Sequence, residues 1–209
     1  MATAARIEGD LRVAGDLAVD GTMPTIARSN LEQNALTEFA VPLTDLRVWD
    51  AMGSLLPAAG ANDDLGLYGG TFGTNSPKVS TGDLKAAGAT TRYARFQREL
   101  PAEYDAAETL TLRISAGMET TVSDGTATVD VECYKADREG GIGSDICATA
   151  AQSINSLTFA NKDFTITPTG LSAGDMLDIR IAVAVNDAAT ATAVTATIGA
   201  IELLADVKG

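Results

Sequence analysis

The stretch Met176-Leu177-Asp178-Ile179-Arg180-Ile181-Ala182-Val183-Ala184-Val185 decides the fold. Its odd positions are Leu177, Ile179, Ile181, Val183 and Val185. Its even positions after Met176 hold Asp178, Arg180 and the small Ala182 and Ala184. Successive strand side chains point to opposite faces, so this alternation predicts one strand with a dry face and a wet one. A glycine-punctuated loop, Gly170-Leu171-Ser172-Ala173-Gly174-Asp175, leads into it. The same period recurs upstream. Leu110, Leu112 and Ile114 alternate with Thr109, Thr111 and Arg113. Val129, Val131 and Cys133 alternate with Thr128, Asp130 and Glu132, after a turn at Ser123-Asp124-Gly125. Phe164 and Ile166 share a face between Asp163 and Thr167, and a further strand is expected over 91–100. At the end of the chain Val194, Ala196 and Ile198 give way to Ile201 and Leu203. That one-residue slip near Gly199 predicts a bulge. Residues 148–154 read as a short helix or an edge strand. Many strands with few helices predict an all-β fold, an antiparallel β-sandwich whose long loops favour a jelly roll.

The rest of the composition narrows the function. The chain has 209 residues, with 15 Lys+Arg against 28 Asp+Glu, a net charge of −13. Such a balance argues against nucleic acid as a partner, because neutralising phosphates needs clustered Lys and Arg. There is no histidine. Ser-His-Asp and Cys-His catalysis and His-ligated metal sites are therefore excluded, and the sequence offers no catalytic residue, no cofactor site and no metal site. Cys133 and Cys147 stand 14 apart without His or Cys neighbours, so zinc is not expected; free buried thiols are the expectation, with a disulfide between them the alternative. Asp137, Glu139 and Asp145 surround flexible glycines, but the calcium-loop pattern is incomplete. Gly66 to Gly73 lacks the Gly-Lys-Ser/Thr ending of a phosphate loop. No apolar run reaches 18 residues, and Arg6 and Glu8 precede any signal-like core. Neither a membrane span nor export is expected.

The opening residues carry a second pattern. From Ile7 to Met23 every odd position is apolar or glycine: Ile7, Gly9, Leu11, Val13, Gly15, Leu17, Val19, Gly21, Met23. A period of six is superimposed, with Gly9, Gly15 and Gly21 spaced evenly. A single ribbon cannot bury such a face against itself. It can fold back on its own domain, dock on another protein, or join other copies. Three copies around one axis give each strand an inward face in a shared narrow core. Ile7, Leu11, Val13, Leu17, Val19 and Met23 are the expected trimer interface. The segment Gly-Asp-Leu-Arg-Val-Ala-Gly-Asp-Leu-Ala-Val-Asp-Gly-Thr resembles the short β-stalk repeats of trimeric phage virion proteins, fibres and head-attached proteins among them.

Three regions follow: a stalk or arm over 1–24, a connector and loop-rich region over 25–89 that belongs partly to the sandwich, and a β-sandwich over 90–209. Within the connector, Ser29-Asn30-Leu31-Glu32 has capping-box spacing, Leu36 to Val48 reads as one or two strands bent at Pro42, and residues 53–90 read as loops. Trp49, the one tryptophan, suits a core or interface anchor or a sugar-stacking platform. Arg92, Arg95 and Arg98 form a local basic island expected to pair with acids in the same chain or in a neighbouring copy. The whole layout resembles phage capsid decoration (cement) proteins. That resemblance implies a non-enzymatic homotrimer on the outer capsid surface, assembled in the host cytoplasm. Its partner would be the major capsid protein, with Trp49, Tyr68 and Phe72 as capsid contacts. The alternative is a short tail fibre or spike that binds host-surface glycan, which requires an aromatic platform with converging polar groups.

Overall fold

A computed structural model describes residues 34–208. The ribbon at 7–23 and the capping box at 29–32 lie outside the described residues. Two antiparallel sheets face each other. The first contains β1 (Asn34–Ala40), β2 (Gly66–Tyr68), β3 (Lys78–Ser80), β5 (Leu110–Met118), β9 (Ala160–Ile166) and β11 (Ala196–Lys208). Its order is β2-β3-β11-β5-β9, with β1 also paired to β11. The second contains β4 (Gly88–Glu99), β6 (Thr126–Ala136), β7 (Ile142–Asp145), β8 (Gln152–Ser153) and β10 (Met176–Asp187). Its order is β4-β10-β6-β7, with β8 also paired to β6. The fold is a jelly-roll-like antiparallel β-sandwich.

The alternation read in the sequence sets both inner faces. Leu177, Ile179, Ile181, Val183 and Val185 of β10 are buried, as are Val129, Val131 and Cys133 of β6. Opposite them lie Leu110, Leu112 and Ile114 of β5, Phe164 and Ile166 of β9, and Ile198, Ile201 and Leu203 of β11. The β11–β5 register shifts between Ile198 and Ala200, at the expected slip. Residues 148–154 form no helix; Gln152–Ser153 is a short strand on β6. Leu36–Val48 resolves into β1 and a 3-10 turn at Leu43–Asp45 after Pro42.

The loop-rich region holds more structure than its glycines suggest. β2 and β3 form a hairpin that joins β11 through β3. The connector also protects an open sheet edge. Arg47 and Arg95 exchange backbone hydrogen bonds of 2.8 and 3.0 Å, and Tyr93 and its neighbours 63 and 65 do the same at 2.7 and 2.9 Å. Unpaired strand edges invite unwanted pairing; here residues 47–65 occupy the free edge of β4. That placement carries Trp49 to the second sheet.

Candidate functional site

The outward positions of the second sheet follow from its register. Arg180 on β10 sits between Arg95 on β4 and Glu132 on β6. One step along, Asp178 sits between Gln97 and Tyr134. In the other direction Ala182 leaves space beside Tyr93. Three adjacent strands thus present charged and aromatic groups in rows, and the connector adds Trp49 beside them.

Ion pairs lock these rows. Arg95 Nε donates to Asp178 Oδ1 at 2.6 Å, and its terminal nitrogen reaches Oδ2 of the same carboxylate. Gln97 donates to Asp178 at 3.2 Å. Arg180 pairs with Glu132 at 2.6 Å. Its guanidinium lies 5.1 Å from the Trp49 ring centre and 4.9 Å from that of Tyr93, within cation–π range. Trp49 and Tyr93 meet at 5.2 Å with their planes tilted by 47°. The Trp49 indole N–H donates to Asp63 at 2.9 Å. Each long side chain therefore has its orientation fixed by a neighbour.

The result is an open groove of about 330 Å³, lined by Trp49, Tyr134 and Ile142 with Arg95, Asp178 and Arg180 among its polar groups. A second groove of about 450 Å³ shares Arg95, Ile142 and Asp178 and extends towards Arg138 and Gly140. Burial raises the Asp178 pKa, but hydrogen bonds from Arg95 and Gln97 outweigh it, so the carboxyl sits below its usual range. It remains an acceptor, unlike a general acid, which needs an elevated pKa. Burial and the nearby Glu132 raise the Tyr134 phenol, so it stays a hydrogen-bond donor at neutral pH. Planar donors and acceptors beside aromatic faces suit a ligand that is polar at its edges and apolar on its faces.

The residues singled out in the sequence fall in different places. Trp49 lines this groove, whereas Tyr68 lines another, of about 640 Å³, with Lys78 and Glu119. Lys78 lies 5.7 Å from the Tyr68 ring centre, and the Tyr68 hydroxyl accepts from the Gly60 N–H at 3.3 Å. Phe72 stands on a loop, wholly exposed. The arginine island divides as well. Arg95 faces outward, while Arg92 shares the parity of buried Ala94 and Phe96 and donates to the Thr81 carbonyl. Of the acids over 137–145, Asp137 accepts from the backbone N–H groups of Glu139 and Gly141, and Asp145 from those of Cys133 and Cys147. Among the described residues no cluster of three or more acids or cysteines is placed to hold a metal ion. Cys133 and Cys147 are free thiols, and burial pushes both upward in pKa. Glu132, Tyr134, Asp178 and Arg180 were not singled out by sequence reading. The available signal was the outward parity of three strands that turn out to be neighbours.

The class defined by this geometry is a jelly-roll-like β-sandwich with a groove on one outer face. No family model and no curated protein matches the chain. Solved structures similar to it include a xylan-binding module, CBM15, at 14% identity and a TM-score of 0.46, covering 84% of this chain and 100% of that one. A carbohydrate-binding module specific for non-crystalline cellulose, CBM28, aligns at 10% identity and 0.42, covering 82% and 96%. A Stig cyclase from Fischerella sp. TAU aligns at 15% identity and 0.40, covering 84% and 90%.

Proposed function

We propose that the chain is a structural protein of a phage virion, a homotrimeric decoration protein bound to the outer capsid surface. The observation that carries this reading is the hexad repeat from Ile7 to Met23. Its apolar face needs partners, and three copies supply them. Each trimer would sit over a junction of capsid subunits and stabilise the closed shell by mass action. The net charge of −13 would keep the outer surface soluble. The test mixes purified full-length protein with undecorated shells. Saturable binding that raises the shell's melting temperature is expected. Absence of binding to shells, with binding to host cells alone, overturns the reading.

The outer-face groove favours a second reading, attachment to a glycan. Trp49 and Tyr134 provide aromatic faces, and Arg95, Asp178, Arg180 and Glu132 provide fixed polar groups between them. The test is a glycan array probed with the wild-type protein and with Trp49→Ala and Tyr134→Ala. Under this reading each variant loses about tenfold or more in affinity, as buried aromatic anchors do. Equal signals for wild type and variants would exclude the groove.

A further inference from the structure

We propose that the loop over residues 69–77 joins two copies of this chain, with Phe72 of one copy seated in an apolar groove of the next. The inference deepens the trimeric reading and rests on it for the need to associate. It adds a contact within the sandwich itself. The groove encloses about 400 Å³ and is lined by Pro42, Leu43, Thr44, Leu67, Gly69 and Pro77. None of these side chains carries a charge. Phe72 emerges from the same loop, its ring wholly in solvent.

Three observations select a second copy as the occupant. Knob and groove lie on one loop, since Gly69 and Pro77 line the groove and Phe72 stands between them. A knob of one copy in the groove of the next is a head-to-tail contact, and three such contacts form a ring when the rotation between copies closes it. Next, residues 65–77 form a charge-free stretch between Asp64 and Lys78 in a chain of net charge −13. Like-charged copies meet with least repulsion on such a surface. Finally, the knob is pre-formed. The Thr71 carbonyl accepts from the N–H groups of Thr74 at 2.8 Å and Asn75 at 2.9 Å, and Gly73 sits at φ +78°. Phe72 is held at the corner of a closed turn, so little ordering remains to be done on docking.

The test uses the full-length chain with p-benzoylphenylalanine at position 72. Irradiation is expected to join two copies through residues 42–44 or 67–77. An adduct confined to one chain, or one mapping elsewhere on the second copy, overturns the proposal. In parallel, sedimentation over a concentration series compares wild type with Phe72→Asp, Gly69→Asp and Leu11→Asp. A Cβ at Gly69 meets open space, so that variant puts a charge on the groove wall without disturbing the fold. Association is expected to weaken at least tenfold in the Phe72 and Gly69 variants, with unchanged circular dichroism. If only Leu11→Asp separates the copies, the hexads act alone and this proposal fails while the decoration reading stands. If the crosslink forms but shells are not bound, the decoration reading fails and the contact remains.

Discussion

Asp178 shows how one residue couples stability to the groove. It lies on an outward position, yet its neighbours leave it buried. Arg95 and Gln97 hold its pKa down against the effect of burial. A carboxyl depressed by folding stabilises the fold above its unfolded value, about 3.9, and that contribution fades as pH falls through the folded value. Asp178→Asn is expected to cost about 2 kcal/mol at pH 7, the penalty for leaving Arg95 without its charged acceptor. The gap from wild type should narrow in urea titrations repeated below about pH 4. A constant gap would show that the lost hydrogen-bond geometry, not the charge, matters. Asp64 has the opposite sign. Burial, then Asp63 and Asp50, raise its pKa, and one of its oxygens has no hydrogen-bond partner. Its charge opposes folding at neutral pH, and protonation relieves that. Asp64→Asn is expected to raise the melting temperature at pH 7 and leave it unchanged near pH 2; a fall at pH 7 would count against the burial argument. The Arg95–Asp178 pairing is not legible in the sequence, because the two stand 83 positions apart and charge alone does not choose among 28 acids.

Strands were legible where one face is dry. β10 and β6 alternate because every second side chain enters the core, and the β11 slip is visible because a bulge moves the apolar set by one position. β7 had no such signature. All four of its residues are exposed, and only pairing with β6 makes it a strand. β2 and β3 have three residues each, too few for periodicity among the glycines around them. The same contrast predicts stability. Leu112 is wholly buried between the sheets, and Leu112→Ala is expected to cost about 3 kcal/mol through lost transfer energy and an incompletely collapsed cavity. Ile142 is exposed on β7, and Ile142→Ala should stay within about 0.5 kcal/mol. Denaturant midpoints at constant slope would measure both. Similar losses at the two sites would mean that β7 contributes to the core in a way its exposure does not show.

At the scale of the molecule, the outer-face groove escaped the sequence because it is built from five separate segments, Ile142 of β7 among them. Trp49 comes from the connector, Arg95 from β4, Tyr134 from β6, and Asp178 with Arg180 from β10. Each strand alone shows an ordinary wet face; only the order β4-β10-β6-β7 makes these faces one surface. Charge, by contrast, was legible at once and constrains assembly. Every copy brings a net charge of −13, so copies repel before they touch. The proposed contact over 65–77 carries no charge, and the proposed stalk would meet through its apolar odd positions, so such an interface would offer salt few ion pairs to weaken. Screening therefore acts mainly on the repulsion, whose range shrinks from about 30 Å at 0.01 M to about 3 Å at 1 M ionic strength. Association of the full-length protein is expected to tighten as sodium chloride rises, most steeply at the dilute end. Sedimentation equilibrium across that series measures it. Weakening with salt would instead place opposite charges across the interface, and both the ribbon and Phe72 would lose their claim to join the copies.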